Sequence, residues 1–278
     1  MKLLRVGPRG AERPCLMDAT GTLRDLSGRV PDLAGEGVSR DALDAIRALD
    51  HAGLPVLEAP ARVGPCLAWV PTFHCVGLNY AKHAAETGSA VPAEPVLFSK
   101  AASALSGPHD DIPLPRGSQS TDWEVELGVV IGKRAHAVPE ADALAHVAGY
   151  CTVNDISERD FQKNRGGQFI KGKSSPGFGP VGPWLVTADE VPDPQALALR
   201  LSVDGEVMQD STTADMVMPV AGLIAYISQF MALVPGDIIA TGTPEGVGLG
   251  MRPPRFLRRG QTVEAEVAGL GRQKARVV

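Results

Sequence analysis

The sequence predicts a β-rich α+β fold. Three observations carry that expectation: short apolar or alternating runs broken throughout by Gly and Pro, an Asp204-Gly205 hairpin signal between two strand-like runs, and only a few segments of helical periodicity. The order of these runs is not the regular strand-helix alternation of a parallel sheet, and no internal repeat or low-complexity stretch interrupts it.

In chain order, residues 1–70 read as a small N-terminal α+β domain. Strand-like residues 15–17 lead through Ala19-Thr20-Gly21 to a second short strand at Leu23. A helix follows, with Ser39 as N-cap, Ala42, Leu43, Ile46 and Leu49 at helical spacing, and Gly53 and Pro55 as stops. A junction between Pro60 and Pro71 joins this part to a larger domain, 71–278, which holds the clustered acids. There the Asp204-Gly205 turn joins strands 199–203 and 207–209. Behind Pro219, residues Val220, Leu223, Ile224, Ile227, Phe230 and Met231 form an apolar helix face. Pro235-Gly236-Asp237 then turns into a strand at 238–240, and residues 262–267 alternate again.

Composition narrows the function classes. The 278 residues are 44% hydrophobic and 21% charged with a formal net charge of -5, an ordinary balance for a folded soluble protein and a poor one for nucleic-acid binding. The densest basic cluster, Arg252, Arg255, Arg258 and Arg259, is interrupted by Pro253 and Pro254 and reads as a solvated loop. The N-terminus Met1-Lys2-Leu3-Leu4-Arg5 lacks the apolar stretch of a secretory signal and no run has the length of a membrane span, so a cytoplasmic protein with no membrane partner is expected. Cys15, Cys66, Cys75 and Cys151 form no CxxC pair and are expected to be reduced and structural.

The chemistry centres on acids. In Asp122-Trp123-Glu124-Val125-Glu126-Leu127 the apolar residues alternate with carboxylates, so a strand puts Glu124 and Glu126 on one face. Val129-Val130-Ile131 carries the run into the interior, where a bare acidic pair is costly: two carboxylates ~5 Å apart repel by roughly 3 kcal/mol at an effective dielectric of ~20. A dication would cancel that cost. Asp155, at the end of the strand-like run 150–155, supplies a third oxygen ligand and a candidate cap for residues 157–163. Such a set suits Mg²⁺, Mn²⁺ or Ca²⁺ better than Zn²⁺, with Mg²⁺ the leading expectation.

Helical spacing from Asp155 would bring Arg159 and Gln162 onto one stripe facing the same site. Lys173, in a Gly-rich stretch, could approach an anionic intermediate. His83 and Glu86 lie three apart on a predicted helical turn closed by Gly88, and a carboxylate beside an imidazole makes a general base. Small, turn-rich residues 89–95 suit a mobile lid, and Gly166-Gly167-Gln168-Phe169 a further wall of the pocket.

Taken together and in order, these motifs resemble the fumarylacetoacetate hydrolase family over roughly residues 71–271. They are Val76-Gly77-Leu78-Asn79-Tyr80 with His83 and Glu86, residues 122–126 with Gly132-Lys133, and residues 149–160. Lys173, Gly182-Pro183, Pro235-Gly236-Asp237 and residues 241–248 complete the set. The resemblance implies a mixed β-roll, usually dimeric, with a metal on Glu124, Glu126 and Asp155. It further implies substrate binding by Arg159, Gln162 and Thr243, intermediate stabilisation by Lys173, and water activation by His83 with Glu86. That dyad looks like the acylpyruvase branch. Cys75-Val76-Gly77 lacks the fourth acid of the founding members.

The implied reaction is carbon-carbon bond hydrolysis in a 2,4-dioxo acid, a small-molecule 2-oxo acid substrate. The opening residues 1–8 with Asp25-Leu26-Ser27 resemble members acting on 2,4-diketo-3-deoxy-L-rhamnonate or its fuconate isomer. Oxaloacetate decarboxylation and isomerisation or hydration of 2-oxo-dienoates are the enzymatic alternatives. A non-catalytic, metal-stabilised binding protein is the alternative of another class, and it would have no use for His83, Glu86 or Lys173.

Overall fold

The computed structural model describes residues 1–58 and 62–278. Its framework is one ten-stranded sheet in the order Val56–Leu57, Leu23–Asp25, Arg13–Met17, Lys2–Val6, Leu185–Thr187, Val147–Asn154, Val125–Ile131, Ile238–Ala240, Phe73–Gly77, Val96–Lys100. Within it, among the described residues, the Ile238–Ala240 and Phe73–Gly77 strands pair in parallel and the other neighbours antiparallel. The α+β, β-rich expectation therefore holds, in a mixed sheet. The four N-terminal strands extend the same sheet through the Lys2–Val6 pairing with Leu185–Thr187. Of the expected junction, Pro60 lies outside the described residues.

A second, four-stranded antiparallel sheet, Glu206–Thr212, Ala198–Val203, Thr262–Val267 and Gly271–Arg276, packs on the first. Side chains alternate across a strand, so one run can serve two cores. Leu127, Val129 and Ile131 point to the cluster holding Leu199, Leu201, Val263 and Ala265. Val130 points the other way, to Leu3, Leu43, Ile46 and Ile238. Residues 125–131 are buried on both faces, which is why Val129-Val130-Ile131 reads as an uninterrupted apolar run.

Local signals set the connections. The Ser39 hydroxyl accepts from the Ala42 amide and starts the Arg40–Arg47 helix, whose buried stripe is Leu43 and Ile46. Burying each of these is worth roughly 2 kcal/mol, so the helix is held by its packing more than by its eight residues' propensity. Asp204 and Gly205, with φ of 52° and 84°, form the expected hairpin turn. Pro219 precedes the Val220–Phe230 helix, and Val220, Leu223, Ile224 and Ile227 are its buried face. Phe230 and Met231 depart from the predicted stripe, being 61% and 38% exposed. The helix ends at Phe230 and Met231 is extended, so the stripe runs past the core, and the Phe230 ring stacks on Tyr226 instead.

All four cysteines are free and buried. Among the described residues, no helix is long and apolar enough to cross a membrane.

Candidate active site

Strand register brings the three acids together. Glu126 lies opposite Val153 and Val125 opposite Asn154, so Asp155 emerges beside Glu124 at the same end of the sheet. The Asp155 amide donates to the Glu124 carbonyl at 2.8 Å, and the Glu124 amide to Asn154 Oδ1 at 3.1 Å. Regular strand starts only at Val125, so Glu124 sits in the break after Thr121–Asp122. Nothing here is a wet acidic face: Asp122, Glu124, Glu126 and Asp155 are all at least 96% buried.

The acids are knitted to buried cations. Arg159 donates to Asp122 Oδ2 at 2.8 Å through Nε and to Glu124 Oε1 at 2.6 Å through Nη2. Lys173 Nζ bridges Glu124 Oε2 and Asp155 Oδ2, each at 2.5 Å, and Lys100 Nζ holds Asp155 Oδ1. Burial pushes the Glu124 carboxyl up, but Arg159 and Lys173 outweigh it and hold the group well below the usual carboxylate range. Lys173 moves the other way, since Asp155 and Glu124 more than offset burial and fix it as an ammonium.

Glu126 is the exception. Among the described residues only the Gly242 amide, 2.8 Å from Oε2, donates to it, and burial with Asp155 and Glu124 nearby pushes it well above the ordinary glutamate value. Ligand oxygens of Glu124, Glu126 and Asp155 lie within 4.8 Å of one another. Opposite oxygens on one Ca²⁺- or Mg²⁺-sized ion are about 4–5 Å apart, so the triad has the span and the all-oxygen chemistry of a divalent-cation site. With Asp122 the triad makes four carboxylates against three cations, Arg159, Lys173 and Lys100, and the one those cations do not contact is Glu126, whose charged form such an ion would stabilise.

Two local expectations are corrected. Asp155 does not cap the following helix, because both of its oxygens are committed to Lys100 and Lys173; Glu158 accepts from Asp160 N in that place. Nor does the stripe start at Asp155. The helix is Arg159–Lys163, and Arg159 Nη1 donates to Gln162 Oε1 at 3.1 Å within it, which leaves the Gln162 amide nitrogen toward the cavity.

His83 and Glu86 lie on the Ala81–Glu86 helix, with Nδ1 and Oε1 2.8 Å apart. Glu86 Oε2 also accepts from the Gly246 amide at 2.9 Å, which fixes the carboxylate and, through it, the ring. His83, Glu124, Glu126, Arg159, Gln162, Lys173 and Thr243 all line one cavity. Thr243 Oγ1 donates to the Val125 carbonyl at 3.0 Å and accepts from Gln209 Nε2 at 2.8 Å, so its hydroxyl is already engaged. Phe98 and Phe169, edge to face at 5.3 Å, form an apolar wall with Leu78 and Leu249, and Thr87 and Ser89 from the expected lid segment add hydroxyls.

Lys100 and Asp122 were not among the expected site residues. A lysine closing the strand Val96-Leu97-Phe98-Ser99-Lys100 was the available signal for the first. Asp122 stood in the acidic motif, but its partners, Arg159 and the Gly248 and Leu249 amides, are distant in sequence.

The model for the fumarylacetoacetate (FAA) hydrolase C-terminal domain matches residues 72–278. A Burkholderia cenocepacia (strain HI2424) protein named "Putative hydrolase" is 56% identical over 277 residues, covering 99% of this chain and 98% of its own. Among solved structures, fumarylacetoacetate hydrolase from Exiguobacterium antarcticum aligns with a TM-score of 0.86 and 34% identity, over 100% of this chain and 99% of that one. Maleylpyruvate hydrolase from Sphingobium sp. SYK-6, in complex with manganese (II) and pyruvate, aligns at 0.81 and 29%, again over 100% and 99%.

Proposed function

Since the chain belongs to the fumarylacetoacetate hydrolase family, we propose that it hydrolyses a carbon-carbon bond of a 2,4-dioxo acid, releasing pyruvate or a related 2-oxo acid and a carboxylic acid. The observation that carries this reading is the His83-Glu86 dyad opening into the same cavity as Glu124, Glu126 and Lys173. Glu124, Glu126 and Asp155 would hold a divalent cation, Mg²⁺ by expectation and Mn²⁺ or Ca²⁺ by chemistry, which would supply Lewis acidity to the 2-oxo acid head of the substrate.

The chain's own groups do the rest. With its Nδ1 side turned to Glu86, His83 presents Nε2 to the cavity and takes a proton from water there, while Glu86 stabilises the imidazolium. The hydroxide oxygen bonds to C4, the C3–C4 bond breaks, and its electron pair goes to C3 of the pyruvyl fragment, which then gains a proton. Lys173, held as a cation, faces the charge as it develops. Arg159 is already bound to two carboxylates, so its contribution is to fix Glu124 and orient the Gln162 amide toward substrate. A metal-stabilised binding protein would gain nothing from a dyad aimed at the triad. The reading includes a homodimer, which light scattering tests.

The test is pyruvate release coupled to lactate dehydrogenase across acetylpyruvate, maleylpyruvate, 2,4-diketo-3-deoxy-L-rhamnonate and oxaloacetate. Hydrolysis of at least one acylpyruvate is expected, together with its loss in His83→Ala while Mn²⁺ binding persists. General-base removal of this kind costs on the order of 10²- to 10⁴-fold in kcat. Unchanged turnover in His83→Ala, or decarboxylation of oxaloacetate with no acylpyruvate cleaved, would overturn the reading.

A further inference from the structure

Of the cations lining the cavity, Arg159 is taken by Asp122 and Glu124, Lys173 by Glu124 and Asp155, and His83 by Glu86. Lys163 lines the same cavity, and among the described residues it has neither a hydrogen-bond partner nor a carboxylate within 4.0 Å. It lies one helical turn beyond Arg159, and with Arg159 and Leu249 it also borders an adjoining depression of about 380 Å³. Lys163 is exposed on the cavity side of its helix's last turn, and desolvation with the neighbouring Arg159 still lowers it from the ordinary lysine value, a cost that an anion beside it would relieve.

The cavity that Glu124, Glu126 and this lysine line carries four large apolar side chains, Phe98, Phe169, Leu78 and Leu249. Of its threonine hydroxyls, Thr87 is bonded to the His83 and Ala84 carbonyls and Thr243 to Val125 and Gln209, so a polyol tail would lose water here and find few partners, whereas a hydrocarbon spacer would not. Apolar walls with a cation lacking a protein partner are complementary to a tail that ends in a carboxylate.

We propose that Lys163 is a specificity-determining residue that binds the distal carboxylate of the substrate, so that the preferred 2,4-dioxo acid is a dicarboxylate and not a polyol-tailed sugar acid. The proposal rests on the reading of the cavity as a 2-oxo acid site. Bidentate contact is not required; a single charge-assisted hydrogen bond to Nζ suffices.

Binding, without turnover, isolates this claim. Mn²⁺-loaded protein is titrated calorimetrically with 2-oxoglutarate and 2-oxoadipate and with their neutral-tailed counterparts 2-oxopentanoate and 2-oxohexanoate, none of which has a 4-carbonyl to cleave. The parent is expected to bind at least one diacid on the order of 10- to 100-fold more tightly than its counterpart, with the preference shrinking at high salt. Lys163→Gln should lose that preference while leaving the neutral ligands unchanged, and Lys163→Arg should keep most of it. Equal binding of all four ligands by the parent, or a preference that survives Lys163→Gln, would overturn the proposal. A diacid preference in a protein that cleaves no acylpyruvate would instead count against the hydrolase reading and leave Lys163 assigned. Hydrolysis without a diacid preference would do the reverse.

Discussion

Replacing Glu126 by Gln should strengthen the metal-free protein while disabling it. Glu126 is 2% exposed, accepts one backbone hydrogen bond, and has no cation of its own. One neighbouring carboxylate taken at the 4.8 Å limit repels it by about 3.5 kcal/mol at an effective dielectric of ~20. The Gly242 amide returns about 1.5–3 kcal/mol of this, leaving a net cost of roughly 0.5–2 kcal/mol for the charged form. The sign follows from linkage. A carboxyl whose value is raised in the fold contributes fully below its unfolded value, and its stabilisation is lost as pH climbs toward the raised one. Gln keeps the carbonyl that Gly242 donates to and has no proton to lose. In EDTA at pH 8, calorimetric melting of Glu126→Gln should therefore lie about 1–8 °C above the parent, the gap closing near pH 4. In Mn²⁺ the order should reverse, because the parent gains binding free energy that the variant lacks. A variant that melts below the parent in EDTA, or a gap that ignores pH, would refute the assignment of Glu126 as the uncompensated ligand.

Further outcomes follow from the groups around the triad. Gly242 has φ of 101°, and a Cβ there would lie 2.8 Å from the Asn79 Cβ. Gly242→Ala should cost about 1–3 kcal/mol in a melt, and displacement of its amide from Glu126 should weaken Mn²⁺ binding by on the order of 10-fold in calorimetry. Arg62 donates to both Asp110 oxygens and to Glu12, each at 2.7 Å, and so ties the segment before residue 72 to the larger part. Burial raises these two carboxyls, but Arg62 outweighs it and holds both below their ordinary values. Their stabilisation is present at neutral pH and lost as pH falls through the lowered values. Arg62→Met should cost about 3 kcal/mol at pH 7 in urea titration, with the difference from the parent shrinking in acid. A constant difference from pH 7 to pH 2 would count against the pairing.

Signals that act over a few residues were legible in the sequence. The Ser39 cap, the Asp204-Gly205 turn and the 125–131 run each combine local conformational preference with one face of burial, and the structure carries all three. The triad was legible for a related reason: Glu126 lies in the strand and Glu124 just before its start, and Asp155 directly follows the strand that pairs with it. Legibility failed where a side chain had two competing partners. Asp155 looked like a helix cap because capping is a local contest, yet Lys100 and Lys173, 55 and 18 residues away, take both oxygens. Phe230 and Met231 fitted a helical period in the sequence, but the helix ends at Phe230 and both side chains are exposed, because periodicity does not report where the packed neighbours stop.

Those long-range pairings also decide which groups remain to meet a ligand. Asp122 fixes Arg159 and, through the Gly248 and Leu249 amides, the loop that carries one wall of the cavity. Arg159 and Lys173 then satisfy Glu124 from two sides, and Lys100 completes Asp155. Every buried charge in this chain of contacts is spoken for except that of Glu126. A preorganised set of this kind holds its geometry as charge develops, with no reorganisation left to the reacting step. The groups still able to act on an incoming molecule are few: the His83 ring nitrogen turned from Glu86, the Gln162 amide, the Glu126 carboxylate and the Lys163 ammonium. They lie on three elements around one cavity, with Gln162 and Lys163 on the same helix. In the proposed reading a cation on Glu124, Glu126 and Asp155 would fix the head of the substrate, Lys163 would hold its tail, and His83 would act on what lies between.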